Sequence, residues 1–300
     1  MGKSKDEINY AVADRDLKYY IFDWDDNILH MPTHIHLERR NDQGEWVPHS
    51  VSTSVFSVIR ADQENYRPPK GDWEAAFCDF RDIAGNVENV LLRDTKTAIN
   101  RVVNGGEKAG PSFEKFRTTL VEGRIFAIVT ARGHGPASIR QAVEYFIETV
   151  LTPEEKQIML RNLRGYLACF DPDHETDNDD EVMTYYLNHN RYHGVMSPHF
   201  RAMMGQAPSS SPNTEAGKQF AIKDFVEHVI KITRANGIEN PISVGFSDDD
   251  EGNVGAVESY VREALSQEFP GIKFVVYYTS DPDMPAGRKV VVRGQLSLDL

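Results

Sequence analysis

Three aspartates stand within four positions near the start of the chain. In "YYIFDWDDN", four apolar or aromatic residues are followed by Asp23, Asp25 and Asp26, with only Trp24 between them. Carboxylates this close repel one another, so folding alone does not favour the arrangement. We therefore expect a positively charged group among them.

More polar side chains follow other apolar runs. Thr130 ends "IFAIVT" with Arg132 two residues later, Asp248 and Asp249 follow "ISVGFS", and a fourth run, "KFVVYYT", covers 273–279. Their branched and aromatic composition predicts buried parallel strands of an α/β sheet with helices on both faces. Ligands of such sheets lie outside the carboxyl ends of the strands. We expect the acids, the hydroxyl and the guanidinium to meet there, where Mg²⁺ would relieve the repulsion.

Four elements, in this order along the chain, resemble the motifs of the haloacid dehalogenase (HAD) superfamily. "FDWDDN" resembles motif one, "FAIVTARG" motif two and "VGFSDDDEGN" the acidic motif four, while a lysine at the head of the preceding helix resembles motif three. Motif four departs from the commonest spacing, because Gly245 and Asp248 are not adjacent. The resemblance implies a Rossmann-like core, with a mostly parallel central sheet flanked by helices, that hydrolyses phosphoric monoesters.

The resemblance also implies residue roles. Asp23 would be the nucleophile that forms an aspartyl-phosphate, and Asp25 the general acid that later acts as the base. Asp248 would bind Mg²⁺ beside Asp23, with the backbone carbonyl of Asp25 as another ligand and Asp249 as a further partner. Thr130 would donate a hydrogen bond to a phosphoryl oxygen, and a lysine would neutralise the charge on the phosphoryl group.

Two lysines of one predicted helix compete for that role. Lys218 precedes Ile222 and Phe225 at helical spacing and so lies on the apolar stripe, whereas Lys223 falls on the polar face. We take Lys218 as the catalytic and substrate-binding lysine, with Lys223 as the alternative. Arg132 either donates to the substrate phosphate or forms a surface ion pair.

Two long segments separate the predicted core elements. Residues 31–110 lie between motifs one and two, where this superfamily often carries a cap, and a turn at "NDQG" predicts a hairpin there. We predict a core of 1–30 and 111–300 with an inserted α+β cap domain of 31–110. Residues 151–217 are predicted to be a loop-rich excursion, with a solvated acidic tract and a mobile Pro- and Ser-rich segment.

Other polar residues have simpler interpretations. Asp250 and Glu251 are expected to cap the next helix. The remaining candidates are histidines without a nearby cysteine or a complete ligand set, so we do not predict a transition-metal site at them. These are His30, His34, His36, His189 and His193.

Composition limits the classes of protein. The formal net charge of −13 over 300 residues argues against broad nucleic-acid binding, although a small basic pocket stays possible. Cys78 and Cys169 are too few for a disulfide framework, which fits a reducing compartment. No signal peptide or membrane span is visible in the sequence, so we expect a cytoplasmic protein.

The sequence thus predicts a Mg²⁺-dependent phosphohydrolase acting on a small phosphometabolite or nucleotide. One alternative is a polynucleotide 3′-phosphatase-like enzyme of the same superfamily, to which "TARG" is weakly similar. Another is a non-catalytic HAD-fold protein that binds a partner through its inserts, against which the intact acids and Lys218 argue.

Overall fold

A computed structural model describes residues 17–83, 85, 88–206, 213–281, 284 and 286–294. Within these ranges the strands are β1 (Leu17–Phe22), β2 (Ile35–Arg40), β3 (Trp46–Val51), β4 (Tyr66–Arg67), β5 (Phe126–Thr130), β6 (Arg191–Gly194), β7 (Ile242–Asp248), β8 (Ile272–Tyr278) and β9 (Arg288–Arg293). The α-helices are α1 (Thr53–Ile59), α2 (Trp73–Ala76), α3 (Val90–Val103), α4 (Phe113–Val121), α5 (Pro136–Val150), α6 (Pro153–Phe170), α7 (Asp179–His189), α8 (Pro198–Met203), α9 (Thr214–Ala235), α10 (Glu251–Tyr260) and α11 (Ser266–Glu268). None of these helices combines the length and the apolar composition that crossing a membrane requires.

The large sheet has six strands in the order β6-β5-β1-β7-β8-β9. Its first five strands are parallel, and β9 pairs antiparallel with β8. The four apolar runs of the sequence are β1, β5, β7 and β8, so the predicted α/β class with a mostly parallel sheet is confirmed. Strand β6 was not predicted, because its sequence "RYHG" is short and largely polar.

Alternate residues of β1 face opposite sides of the sheet, and helices cover both sides. On one side Phe22 meets Phe116 of α4 at a ring-centroid distance of 5.3 Å, and Phe116 meets Phe146 of α5 at 5.0 Å. On the other side Ile21 packs in the cluster that contains Phe225 of α9. Both faces are therefore apolar, as expected of strands buried between two helical layers.

The predicted helices form where their start and stop signals stand. Pro136 is the first residue of α5, where its missing N–H leaves no hydrogen bond unmade. The long helix α9 ends before Gly237, which adopts a φ of 67°. Asp250 caps α10 by accepting a hydrogen bond from the backbone N–H of Asn253 at 2.8 Å, and Glu251 lies in the first turn, as predicted.

The 31–110 segment contains a small antiparallel sheet of order β3-β2-β4. The turn "NDQG" joins β2 to β3 as predicted, with Gly44 at a φ of 82°. This sheet has its own apolar cluster, formed by Ile35, Leu37, Val51 and Ala76. Helix α3 behaves differently, since its residues Leu91, Ala98 and Ile99 belong to the core cluster beneath the large sheet. Part of the predicted cap thus packs as core, and the division into domains stays a prediction.

The 151–217 segment is largely helical, so its prediction as loop-rich is wrong. It contributes α6, α7, α8 and the sheet strand β6. Thr152 and Glu155 form a reciprocal capping box at the start of α6, and the end of the acidic tract begins α7, capped by Asn178. Acidic side chains favour a helix amino terminus, which explains why a tract interpreted as loop starts a helix. Of the segment predicted to be mobile, residues 207–212 lie outside the described ranges.

Candidate active site

The carboxyl ends of β5, β1 and β7 lie side by side. Phe22 pairs with Ile128 on one side and with Ser247 on the other, so Asp23, one residue on, emerges between β5 and β7. Thr130 ends β5 and Asp248 ends β7. The polar residues predicted to meet at this edge do so, while their chemical roles stay predictions.

Lys218 enters this edge from the first turns of α9 and joins two of the acids. Its Nζ donates to Asp23 Oδ1 at 3.0 Å and to Asp248 Oδ2 at 2.6 Å, with only 2% of the lysine side chain exposed. Lys223, one and a half turns further, is exposed and pairs with Glu268 at 2.6 Å. The structure therefore places Lys218, rather than Lys223, among the acids.

Burial and mutual repulsion perturb the acids of this cluster. Burial raises the pKa of Asp23 well above its ordinary value, and the neighbouring acids add to the rise although Lys218 opposes it. Burial and the charge of Asp248 raise the pKa of Asp249 to about 7. Burial alone would lower the pKa of Lys218, but the charges of Asp23 and Asp248 outweigh it and raise that pKa. One ammonium does not balance three carboxylates.

Asp23, Asp248 and Asp249 could hold a cation. One carboxylate oxygen from each lies within 4.8 Å of the others. Around octahedral Mg²⁺, with metal–oxygen distances of about 2.1 Å, ligand oxygens lie about 3 Å apart when adjacent and about 4 Å when opposite. The donor chemistry therefore fits Mg²⁺, and the 4.8 Å limit is slightly longer than the separation of opposite ligands. The Asp25 side chain is not in this group, and its backbone carbonyl, the predicted ligand, accepts a hydrogen bond from Asn27 at 2.6 Å.

Asp25 is held by the two residues that follow β5. Thr130 Oγ1 donates to Asp25 Oδ2 at 3.0 Å, and the Arg132 guanidinium grips both carboxylate oxygens, with Nη2 to Oδ1 at 2.6 Å and Nε to Oδ2 at 2.8 Å. Burial alone would raise the pKa of Asp25, but the charge and hydrogen bonds of Arg132 outweigh it and hold the pKa below its ordinary value. Asp25 is thus a carboxylate at neutral pH.

Arg132 forms a buried ion pair, not the surface pair we considered. Its side chain is 1% exposed, and the guanidinium carbon lies 4.6 Å from the centre of the Phe80 ring. Its Nη2 also donates to Thr33 Oγ1 at 2.7 Å, and Thr33 donates to Asp94 Oδ2 at 2.6 Å. Nη1 is buried and has no hydrogen-bond partner among the described residues. Thr33, Phe80 and Asp94 all come from the 31–110 segment, which therefore supports the site.

Asp26, the third acid of the opening stretch, turns away from the cluster. Its φ of 55° is left-handed, a conformation that Asp tolerates better than most residues. Its carboxylate pairs with His30 Nδ1 at 3.0 Å and accepts from Thr53 Oγ1 at 3.2 Å. The bond from Thr53 links Asp26 to the first residue of α1, while the charge of Asp26, after burial and Asp248, still adds to the raised pKa of Asp249.

Asn27 fixes the backbone that carries Asp23, a role that sequence reasoning missed. Its side-chain amide donates to the backbone carbonyls of Asp23 at 3.2 Å and Ser247 at 3.0 Å, and its Oδ1 accepts from Thr279 Oγ1 at 2.9 Å. The side chain is fully buried. Its position directly after three acids was the available signal, because a short amide there suits backbone hydrogen bonding. Thr33 and Asp94 gave no such signal.

The histidines differ from one another in their surroundings. His30 pairs with Asp26, and His193 Nε2 lies 3.0 Å from Asp224. Neither they nor His34 and His189 belong to a group of three metal-binding side chains in the described part of the chain. His36 is the exception. Cys78 and Asp79, which are distant from it in sequence, are its neighbours in the fold.

Comparisons of the chain with protein-family models, with curated proteins and with solved structures found no match. The HAD resemblance therefore rests on the sequence motifs alone. What the structure adds is the α/β fold and the geometry at the carboxyl edge of its sheet.

Proposed function

We propose that this protein is a Mg²⁺-dependent phosphohydrolase that cleaves a phosphomonoester through an aspartyl-phosphate intermediate, with a small phosphometabolite or nucleotide as substrate. The observation that supports it most is the position of Lys218, buried between Asp23 and Asp248 at the carboxyl edge of the sheet. A buried ammonium beside a carboxylate suits an anionic group that arrives there, since a phosphoryl group needs positive charge around it.

Asp23 acts as the nucleophile in this proposal. A carboxylate oxygen attacks phosphorus, and the bond between phosphorus and the leaving oxygen breaks. The leaving oxygen departs as an anion or, in molecules in which Asp25 is protonated, takes the proton of Asp25. In the second step Asp25 accepts a proton from water as the water oxygen attacks phosphorus, and the bond to Asp23 breaks to release phosphate. Lys218 holds Asp23 in place. The Thr130 hydroxyl, which donates to Asp25 in the structure, would turn to donate to a phosphoryl oxygen in both steps.

Asp23, Asp248 and Asp249 would hold Mg²⁺, with Asp25 contributing its backbone carbonyl. When bound, the ion supplies positive charge to the phosphoryl group and offsets the repulsion among the acids. Burial and, after it, the repulsion among the acids raise the pKa values of Asp23 and Asp249. The ion would thus favour the ionised form of Asp23, which the attack requires.

The ion pair between Arg132 and Asp25 affects which substrates react fastest. Because its pKa is held low, Asp25 is mostly ionised. It can accept a proton from water but rarely carries one to donate. Leaving groups that need little protonation, such as phenols, then depart more readily than simple alcohols. An aryl phosphate is for this reason the best first probe.

The test is phosphate release from p-nitrophenyl phosphate, with Mg²⁺ and with EDTA. We compare the wild type with Asp23→Asn and with the matched control Asp42→Asn, which changes an exposed aspartate in the β2–β3 turn. The proposal predicts turnover that requires Mg²⁺, survives in Asp42→Asn and falls by about a thousandfold or more in Asp23→Asn, since removal of a nucleophile disables the whole reaction path.

Two results would contradict the proposal. One is equal turnover by the wild type and Asp23→Asn. The other is an inert wild type, on the aryl phosphate and also on a panel of phosphometabolites and 3′-phosphorylated oligonucleotides. The absence of all activity would favour the non-catalytic binding protein. Activity on the oligonucleotides alone would identify the 3′-phosphatase alternative.

A further inference from the structure

A second group of metal-binding side chains lies in the 31–110 segment, away from the acids of the sheet edge. His36 projects from β2, and Cys78 and Asp79 belong to a single 3₁₀ turn, Cys78–Phe80. One nitrogen, one sulfur and one oxygen from these side chains lie within 4.8 Å of one another. The three residues are 43 positions apart at most, so the fold and not local sequence assembles them.

The separations are close to those of ligands around one ion. His36 Nε2 lies 2.9 Å from Asp79 Oδ2, and Cys78 Sγ lies 3.8 Å from Asp79 Oδ1. With bonds of about 2.0 Å to nitrogen and oxygen and about 2.3 Å to sulfur, tetrahedral ligand atoms lie about 3.3 to 3.6 Å apart. The observed separations of 2.9 and 3.8 Å lie within about 0.5 Å of this range, so the three side chains are near the arrangement that a common ion requires.

The other ring nitrogen of His36 is already held. Nδ1 lies 3.0 Å from the hydroxyl of Ser50 on the neighbouring strand β3. When that hydroxyl accepts from Nδ1–H, the lone pair of Nε2 is directed toward Asp79. In this tautomer Nε2 and the Asp79 oxygen are both acceptors, 2.9 Å apart, and a cation between them would stabilise the pair. A hydrogen bond of this kind orients most histidines that ligate metals.

We propose that His36, Cys78 and Asp79 bind a borderline divalent transition-metal ion, with Zn²⁺ the expected occupant. Imidazole, thiolate and carboxylate together suit Zn²⁺, while the sulfur ligand disfavours Mg²⁺ and Ca²⁺. Three protein ligands leave a fourth position for water. With 38% of the His36 side chain and 26% of the Asp79 side chain exposed, an ion can enter from solvent.

The ion would join two parts of the segment that supports the active site. The turn that carries Cys78 and Asp79 continues to Phe80, whose ring covers Arg132 and whose carbonyl accepts from Gly133 N at 2.7 Å. A bond from His36 would tie β2 to this turn. The inference stands independently of the proposed phosphatase activity, because its test measures metal binding alone.

The experiment is a titration of the reduced, full-length protein with Co²⁺ in excess Mg²⁺. Co²⁺ bound to a thiolate gives a charge-transfer band in the near ultraviolet, which an all-oxygen site at Asp23 cannot give. We expect this band in the wild type and in the matched control Cys169→Ser, its loss in Cys78→Ser, and its displacement by Zn²⁺. Calorimetry with Zn²⁺ in the same excess of Mg²⁺ should show one site, which includes His36. We expect His36→Gln to weaken Zn²⁺ binding by more than Ser50→Ala does, for which about 10- to 100-fold is expected.

Circular dichroism of each variant establishes that it is folded before the titration. The proposal is overturned if the wild type shows no thiolate band, if the band survives in Cys78→Ser or disappears in Cys169→Ser, or if His36→Gln binds Zn²⁺ as tightly as the wild type. An ordinary ion pair between His36 and Asp79 would give the first or the last of these results.

Discussion

Replacing Lys218 with methionine removes the ammonium that lies between two buried carboxylates. Methionine is unbranched and replaces the apolar stem while being one atom shorter than lysine, so the packing of α9 changes little. Asp23 and Asp248, at 3.0 and 2.6 Å from Nζ, lose their common partner in the fold. Asp249 lies close to both.

The magnitude follows from these distances. At an effective dielectric constant of about 20, a charge pair about 3 Å apart is worth about 6 kcal/mol, so two pairs give about 12 kcal/mol before desolvation of the lysine is subtracted. That desolvation costs several kcal/mol. Breaking a buried pair by removing one partner costs about 3 to 5 kcal/mol in net stability, and we expect Lys218→Met to lie in that range at pH 8 in EDTA.

The deficit should shrink as the pH falls. With their pKa values above the ordinary range, Asp23 and Asp249 bind more protons in the folded than in the unfolded state, so stability falls as the pH rises through the folded values. Without the ammonium the pKa values of the acids rise further, so more stability is lost as the pH rises. At pH 5 bound protons neutralise the acids and reduce the cost of losing the lysine. Added Mg²⁺ should also recover part of the loss, by about 2.7 kcal/mol at a concentration 100 times its Kd.

The assay is urea unfolding of the wild type, Lys218→Met and the matched control Lys223→Met, at pH 5 and pH 8, with EDTA and with Mg²⁺. Lys223→Met should change stability little, because its partner Glu268 is exposed. The reasoning fails if Lys218→Met costs less than about 1 kcal/mol in EDTA, if it matches Lys223→Met, or if its deficit is the same at both pH values.

Three further predictions concern the surroundings of the site. Thr33→Val leaves Arg132 and Asp94 short of a hydrogen-bond partner and should cost about 1 to 3 kcal/mol in urea unfolding; unchanged stability would contradict the role of Thr33. Arg132→Gln removes the charge that lowers the pKa of Asp25, so the acidic limb of the kcat/KM profile should move to higher pH, and a profile that stays in place would exclude Asp25 as the base. Because the pKa of Asp249 is about 7, Mg²⁺ must displace its proton below that pH, so the affinity measured by calorimetry should fall from pH 8 to pH 6; the same fall in Asp249→Asn would contradict this.

The sheet edge could be predicted because its signals are local. An apolar run that ends in an acid or a hydroxyl predicts both the strand and the residue at its carboxyl end, which located Asp23, Thr130 and Asp248. The spacing of Ile222 and Phe225 placed Lys218 on the buried stripe. Each inference needs only neighbouring residues and the rule for where parallel sheets bind ligands.

The contacts that surround the site could not be predicted, because they join residues that are distant in sequence. Thr33 and Asp94 are 61 positions apart, and nothing in either local sequence indicates that they serve Arg132. The same holds for His36. No cysteine is near it in the sequence, but Cys78 lies beside it in the fold. Strand β6 could not be predicted for another reason. A short polar strand gains its stability from pairing with β5 rather than from its own residues.

The central claim is that Asp23 carries the phosphoryl group, and beryllofluoride tests it without a known substrate. This ion mimics a phosphoryl group on a carboxylate oxygen, and fluorine NMR distinguishes its bound form from the free form. The account predicts a bound signal that requires Mg²⁺ in the wild type and in Asp42→Asn, and no bound signal in Asp23→Asn. A signal that survives in Asp23→Asn, or a folded wild type that shows none with Mg²⁺, would contradict it.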